Sequence, residues 1–302
     1  MRLSAFALAL LGLSARATGA EKPLAVGLFA PSAPFTSTSE RLEFANALAQ
    51  KLAERLGAPS GLGRVYARGS DLANAVKRGE LDFAVVDAAY AATQNLPYPV
   101  LAAAMRNGAT SSPWEIVARP GIKSLLDLRG KGVAIPTTAG REESFLYQVL
   151  LEGEMGAARF GRIAVVPDAA SAALAVSLGR ADAACVPSGL RLPTGVSHLV
   201  TLARVSWPLL IALPGPYRSG AEKAAAAATA TAMTLPGAFE RFQRASTDVA
   251  RTLAGRLAQP RRRGLMAVPA GRLPAAALLD GRTFELRRID ILELAAAPKP
   301  VP

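Results

Sequence analysis

The sequence predicts an α/β fold in which two lobes, each an open and mostly parallel sheet flanked by helices, follow one another along the chain. Three observations predict it. At 302 residues the chain is long enough for two domains, taking roughly 150 residues for each. A segment repeats at an offset of one hundred residues. Both halves also open with the same order of strand, loop and helix.

The repeat compares residues 75–86 with 175–186, and six of the twelve positions are identical: Ala75/Ala175, Val76/Val176, Gly79/Gly179, Asp82/Asp182, Ala84/Ala184 and Val86/Val186. Each copy reads as a helix that starts near a capping residue, Ser70 or Asp71 in one and Asp168 in the other. Each helix ends at a glycine able to take the left-handed conformation, Gly79 or Gly179. An aspartate, Asp82 or Asp182, then precedes a short apolar run that reads as a buried strand.

The upstream parts correspond as well. Residues 24–29 form one strand candidate, closed by Ala30, Pro31 and a hydroxyl-rich loop. Residues 132–135 form another, closed by Pro136, Thr137 and Thr138. In the helix after the first loop, Leu42, Ala45, Leu48, Leu52 and Leu56 recur at helical spacing and Gly57 ends it. In the second, Phe145, Leu146, Val149 and Leu150 make the apolar face. Repeated strand–helix order is the pattern of an open α/β sheet with right-handed crossovers, and two such lobes leave a cleft between them. Further along, residues 121–131 read as a short helix and turn. Residues 221–233 read as an alanine-rich helix, 238–258 as helix again, 283–292 as a late strand and 295–302 as a disordered tail.

Composition removes several classes of function. The lone Cys185 forms no internal disulfide and no Cys/His cluster exists for zinc. One histidine, His198, leaves no convincing Ser-His-Asp set. No metal, no cofactor and no catalysis are expected. Cys185 reads as a packed thiol and His198 as a surface residue. Lys and Arg outnumber Asp and Glu by 35 to 23, a formal charge of +12, which favours anionic partners without choosing among them. The run Arg261, Arg262, Arg263 has no interleaved aromatics, so a nucleic-acid groove is not expected.

Met1 and Arg2 precede an apolar run over residues 3–13, and small residues follow around Ala15, Ala17 and Ala20. This order reads as a secretory signal over residues 1–20. No cysteine stands there for a lipid anchor, and no other stretch is long and apolar enough for a membrane span. The expected location is the periplasm.

Residues 69–86, residues 124–134 (Ser124, Leu125, Leu126, Asp127, Leu128, Arg129, Gly130, Lys131, Gly132, Val133, Ala134) and residues 168–186 together resemble periplasmic substrate-binding proteins of ABC importers, of the phosphate/phosphonate type. The resemblance covers residues 22–215. It implies a type II two-lobed binding-protein fold, with the ligand cleft at a hinge crossed twice, near residues 111–115 and 204–208. Residues 21–110 and 206–294 would form lobe one and residues 111–205 lobe two. It also implies a small anionic solute as ligand and an ABC permease as membrane partner, with the protein itself a monomer.

The candidate site lies at the carboxyl ends of strands, where open α/β sheets bind ligands. In lobe two, the resemblance implies that Thr137, Thr138 and the amides up to Gly140 hold oxyanion oxygens. A helix start favours an anion there, and the glycine permits close approach. The other reading is an N-cap by threonine with an acid in the first turn. Arg141 either assists the anion or is solvated. Ala139 stands where the family often has a third hydroxyl. In lobe one, Ser32 and Phe35 lie in the loop after the first strand, which serves the ligand or makes caps and turns. Asp87 pairs a ligand ammonium or caps a helix, Tyr90 lines the cleft, and Ser188 is the lobe-two counterpart. Solute capture for import is the leading reading. A sensor presenting its ligand to a membrane receptor, or less readily an exported enzyme, are the alternatives.

Overall fold

Backbone pairing divides the strands into two sheets, and the aspartates of the repeat sit at the foot of each. The structure is a computed structural model and describes residues 22–153, 160–217 and 219–258. The chain runs β1 (Leu24–Phe29), α1 (Thr38–Leu56), β2 (Gly61–Val65), α2 (Gly69–Lys77), β3 (Phe83–Val86), α3 (Ala88–Thr93) and β4 (Val100–Met105). It continues as β5 (Ser111–Ala118), a 3₁₀ turn (Leu125–Leu128), β6 (Gly132–Pro136) and α4 (Glu142–Ser144). A π-helical segment (Phe145–Leu150) extends α4, and β7 (Arg162–Val166), α5 (Ala169–Ser177), β8 (Ala183–Pro187) and β9 (Ser197–Ser206) follow. Finally come β10 (Leu209–Ala212), α6 (Gly220–Ala232), β11 (Arg241–Arg244) and α7 (Asp248–Ala258).

One sheet has the order β11-β4-β10-β3-β1-β2 and the other β7-β6-β8-β5-β9. Each is built on three parallel strands, β2-β1-β3 and β7-β6-β8. Beside each set lies an antiparallel strand from the other side of a chain crossing, β10 or β5. The expected two-lobed α/β arrangement is therefore present, with mixed sheets. The chain leaves the first sheet after Met105 and enters the second at Ser111; residues 111–115, expected near the first crossing, already belong to β5. It returns between Ser206 and Leu209.

The repeat maps to equivalent places. Asp82 N donates to Ala25 O at 2.9 Å, while Ala25 N donates to Asp82 Oδ2 at 2.8 Å. In lobe two, Asp182 N donates to Gly132 O at 2.8 Å and Gly132 N to Asp182 Oδ2 at 2.9 Å. The preceding glycines have φ of 67° and 68°, so both helices end in the left-handed turn that glycine takes without strain. The first copy differs at its start: α2 is preceded by Arg68, which supplies no side-chain cap, so Ser70 and Asp71 lie inside the helix. Asp168 does cap α5, accepting from Ser171 N at 2.8 Å.

Packing explains two further departures. Leu42 lies exposed on α1, and Phe44 takes its place with Ala45, Leu48 and Leu52 in the core. The helix expected over 238–258 begins only at Asp248. Before it, Phe242 points inward between exposed Arg241 and Gln243, a period-two pattern that makes β11 an edge strand on β4. α1 lies directly on β2: a Cβ at Gly61 would come within 2.2–2.4 Å of the helix backbone at Ala49 and Gln50. One apolar cluster joins the lobes, running from Phe29, Val86 and Tyr90 through Leu253 and Leu257 of α7 to Trp114, Ile135 and Phe145. Cys185 lies inside it, a free thiol that burial pushes up to about 12. No helix among the described residues is long and apolar enough to cross a membrane. The expectations for residues 1–20, 261–263, 283–292 and 295–302 lie outside the described residues.

The aspartate clasp gives a first prediction. Asp82 is buried, and Asp82→Ala leaves Ala25 N–H without its acceptor, which costs about 1–3 kcal/mol. Urea unfolding should show a clearly lower midpoint than Glu54→Ala, whose ion pair with Lys51 is exposed and worth about 0–1 kcal/mol. Equal midpoints would show the clasp to be dispensable.

Candidate functional site

The loops after β1, β3, β6, β7 and β8 leave the carboxyl ends of their strands. In lobe one, Asp87 follows β3 and is buried. Its Oδ2 accepts from Ser32 N and its Oδ1 from Ser32 Oγ, both at 2.7 Å. Burial pushes the Asp87 carboxyl up to about 6, against the opposing hydrogen bonds from Ser32 and the charge of Arg41. Asp87 occupies the position before α3 but makes no side-chain cap. Both Ser32 donors are thus committed to it.

In lobe two, the loop of Thr137, Thr138, Ala139 and Gly140 gathers donors around one oxygen. Thr137 Oγ1 donates to Glu142 Oε1 at 2.9 Å, Thr138 N at 2.9 Å and Gly140 N at 3.0 Å. Ala139 N donates to Thr137 Oγ1 at 3.0 Å. Ala139 has φ 63° and Gly140 φ 123°, and the alternate amides of Thr138 and Gly140 turn inward to make a small nest of donors. Burial alone would raise the Glu142 pKa. The hydrogen bonds from its own N–H, Gly140, Thr137 and Thr138 outweigh that and hold it below the usual carboxylate range. The Thr137 hydroxyl is therefore engaged, and neither threonine caps α4, whose preceding residue is Arg141. Thr138 Oγ1 is buried with no hydrogen-bond partner.

Three contacts join the lobes on this side. Arg41 Nη2 of α1 meets Asp168 Oδ2 at 2.7 Å. Ala169 N donates to Pro31 O at 3.0 Å, and Gln94 Nε2 to Ala139 O at 2.9 Å. Burial would raise the Asp168 pKa, yet the bonds from Ser171 and the Arg41 charge leave it lowered. Arg41 also lines a small cavity of about 50 Å³ with Pro31, Tyr66 and Pro167, and its Nε has no partner.

The remaining expected residues are placed as follows. Phe35 lies in the lobe-one core against Phe44 and Phe239, and reaches the site only through Arg41, whose guanidinium stands 6.0 Å from its ring centre. Tyr90 is buried and donates to Gly69 O at 3.1 Å; a Cβ at Gly69 would meet both Tyr90 and Ala139. Arg141 turns away from the nest, with Nη2 donating to Leu257 O of α7 at 3.1 Å. Ser188 lies near Glu115, a carboxyl raised by burial against the influence of His198 and Ser188. His198 is itself exposed, 3.9 Å from Glu115.

Sequence reasoning did not single out Glu142, Arg41, Gln94 or Glu115. A signal existed for Arg41: it stands in the opening turns of a helix, where the dipole disfavours a cation. Glu142 carried only the ordinary mark of a first-turn acid.

Asp87 generates a pH prediction. Its folded pKa lies above the ordinary 3.8, so its contribution is fully present below about pH 4 and is lost as pH rises through 6. A shift of about two units corresponds to roughly 3 kcal/mol. The stability of wild type relative to Asp87→Asn should fall by that order between these limits in urea titrations. Parallel curves would show that Asp87 is not a strained buried acid.

A family model described as ABC transporter, phosphonate, periplasmic substrate-binding protein matches residues 32–196, more than half of the chain. No curated protein sequence matches. Among solved structures, the fold is similar to a Prochlorococcus marinus protein in complex with methylphosphonate, at 10% identity, 78% coverage of this chain and 97% of that one, with TM-score 0.62. It is similar to a Xanthomonas citri protein bound to ATP, at 14% identity, 78% and 96% coverage and TM-score 0.60. It is also similar to a binding-protein component of an ABC phosphonate transporter from Pseudomonas aeruginosa, at 14% identity, 77% and 85% coverage and TM-score 0.56. With its type II two-lobed fold, the chain belongs to the phosphonate-type periplasmic substrate-binding proteins of ABC transporters, a family that captures solutes for import.

Proposed function

We propose that this chain captures a small oxyanion of the phosphate or phosphonate class between its lobes and hands it, unchanged, to the permease of an ABC importer. It works as a periplasmic monomer, exported by residues 1–20. The observation that carries the ligand reading is the convergence of Thr137 Oγ1, Thr138 N and Gly140 N on a single carboxylate oxygen. A loop that holds one anionic oxygen with three donors has the chemistry to hold another. Thr138 Oγ1 adds a fourth donor in the same loop, buried and uncommitted. Ser32 stands at the end of β1 in lobe one, and Arg41 supplies positive charge beside it, close enough to oppose the rise that burial imposes on the Asp87 pKa. Methylphosphonate, the ligand of one structure of similar fold, is the natural first probe, with inorganic phosphate beside it.

Thr138→Val tests this reading because the lost hydroxyl has no hydrogen-bond partner among the described residues. Removing it should leave the unfolding midpoint unchanged or slightly raised. A donor lost from a buried charged oxygen costs about 1.5–3 kcal/mol, so Kd for methylphosphonate or phosphate should rise roughly ten- to a hundredfold. Titration calorimetry and thermal melts on the same samples read both. Unchanged affinity would remove Thr138 from the site. Failure of both probes to bind wild type would remove the oxyanion class.

A further inference from the structure

We propose that Glu142 is the specificity-determining residue of the oxyanion loop: its carboxylate is an incumbent that an incoming solute must displace. The inference rests on the oxyanion reading above and adds to it which anions can win. Glu142 Oε1 lies 2.9–3.0 Å from three donors of the loop. A further anion cannot share that oxygen's position, and two carboxylates brought together repel. The donors therefore serve either the chain's own carboxylate or the solute.

The competition sets a threshold for the solute. A bare monocarboxylate offers the same group that it must expel, so exchange gains no contact, and it loses the freedom that a tethered side chain never had. A tetrahedral oxyanion brings an additional oxygen and additional charge. It can engage Thr138 Oγ1, the buried hydroxyl that Glu142 does not reach. Glu142 thus biases the loop toward phosphonate and phosphate and against simple carboxylates. It does so from within the protein, at a cost in absolute affinity.

The backbone suits such an exchange. Glu142 opens α4, a helix of three residues, and the π-helical segment over Phe145–Leu150 that follows is wholly buried. The carboxylate can leave by side-chain rotation while that segment stays packed. Among the described residues, the hydrogen-bond donors to this side chain all come from residues 137–142.

The test is calorimetric titration of methylphosphonate, inorganic phosphate and acetate into wild type, Glu142→Gln, Thr138→Val and the double variant. Glu142→Gln keeps the side-chain shape but removes the charge. It should bind methylphosphonate or phosphate at least tenfold more tightly than wild type. Thr138→Val should weaken binding in both backgrounds, and acetate should bind wild type at least tenfold more weakly than either probe. Equal or weaker binding by Glu142→Gln, with Thr138→Val still damaging, would overturn the incumbent role and leave the oxyanion site standing. Acetate binding to wild type as tightly as methylphosphonate would likewise overturn it. If Thr138→Val has no effect in either background, or no probe binds, the site reading itself falls and this inference with it. Should Glu142→Gln fail to fold, Glu142→Asp keeps the charge but shortens the reach and should also bind more tightly. A crystal structure of wild type with methylphosphonate needs no variant: Glu142 Oε1 still at hydrogen-bond distance from Thr138 N and Gly140 N would refute displacement.

Discussion

The reciprocal bond pair at the foot of each sheet is the constraint from which the site follows. A short parallel strand carries few ladder bonds, and a one-residue slip would turn every side chain of these buried strands to the opposite face of the sheet. Asp82 and Asp182 each close a two-bond ring with the first residues of the central strand, Ala25 and Gly132. The same two residues reach the antiparallel strand on the other side: Leu213 N donates to Asp82 O and Arg119 N to Asp182 O. Three strands in each lobe are thereby fixed at one end. The strands that follow are four to six residues long, so a shared origin brings their far ends out at similar heights. That is why Ser32 meets Asp87, although 55 residues of sequence separate them.

Apart from Thr138, the hydroxyls singled out at these far ends stand beside carboxylates of the chain. Ser32 is held by Asp87 and Thr137 by Glu142, and Ser188 lies near Glu115. A buried carboxylate is costly unless donors surround it, and in two of the three cases burial wins and the pKa rises. Only at Glu142 do the donors prevail. Of these three, the loop around Glu142 is the one whose donors favour a charged oxygen, which is why the proposed anion site lies in lobe two. The excess of basic residues along the whole chain plays little part in this. Arg141, the nearest in sequence, is spent on the carboxyl end of α7, while Arg41, from another lobe, stands across the cleft. Net charge describes how the surface draws ions from a distance, and local donors decide what is held.

The two-lobed organisation was legible because its determinants are local. A helix ending in glycine followed by a clasping aspartate is written in a dozen consecutive residues, twice. β11 was not legible, since a four-residue strand with a single inward Phe242 carries too short a period to compete with the helical pattern of α7 beside it. At the site, the sequence marked the loops but not their partners. Thr137, Thr138 and Gly140 were marked as donors to an anion, and the structure brings them together around Glu142. That their present acceptor lies two to five residues downstream depends on the positive φ of Ala139, which no local pattern of alanine announces. Phe35 was read as cleft-facing because it follows a strand. Two ring contacts with Phe44 and Phe239, one of them from a distant part of the chain, draw it into the core instead.

Ala139 ties the anion loop to the lobes as a whole. A non-glycine residue at positive φ costs on the order of 1 kcal/mol, so the nest conformation needs outside support. Ala139 N donates to Thr137 Oγ1, and Ala139 O accepts from Gln94 of lobe one. The second bond couples the loop's shape to the approach of the lobes. Two other contacts act in the same direction, the Arg41–Asp168 pair and the Ala169–Pro31 bond. On the other side, α7 packs against α3 and the π-helical segment, lies beside Val205 and Ser206 at the second crossing, and donates from Arg256 to Val149 O at 2.7 Å. Separation of the lobes about that side would break the Gln94 bond and remove one of the two hydrogen bonds that hold Ala139 in its strained conformation. Loop geometry is thus tied to the interlobe contacts, and an anion held there, as proposed, would draw on the same contacts to stay.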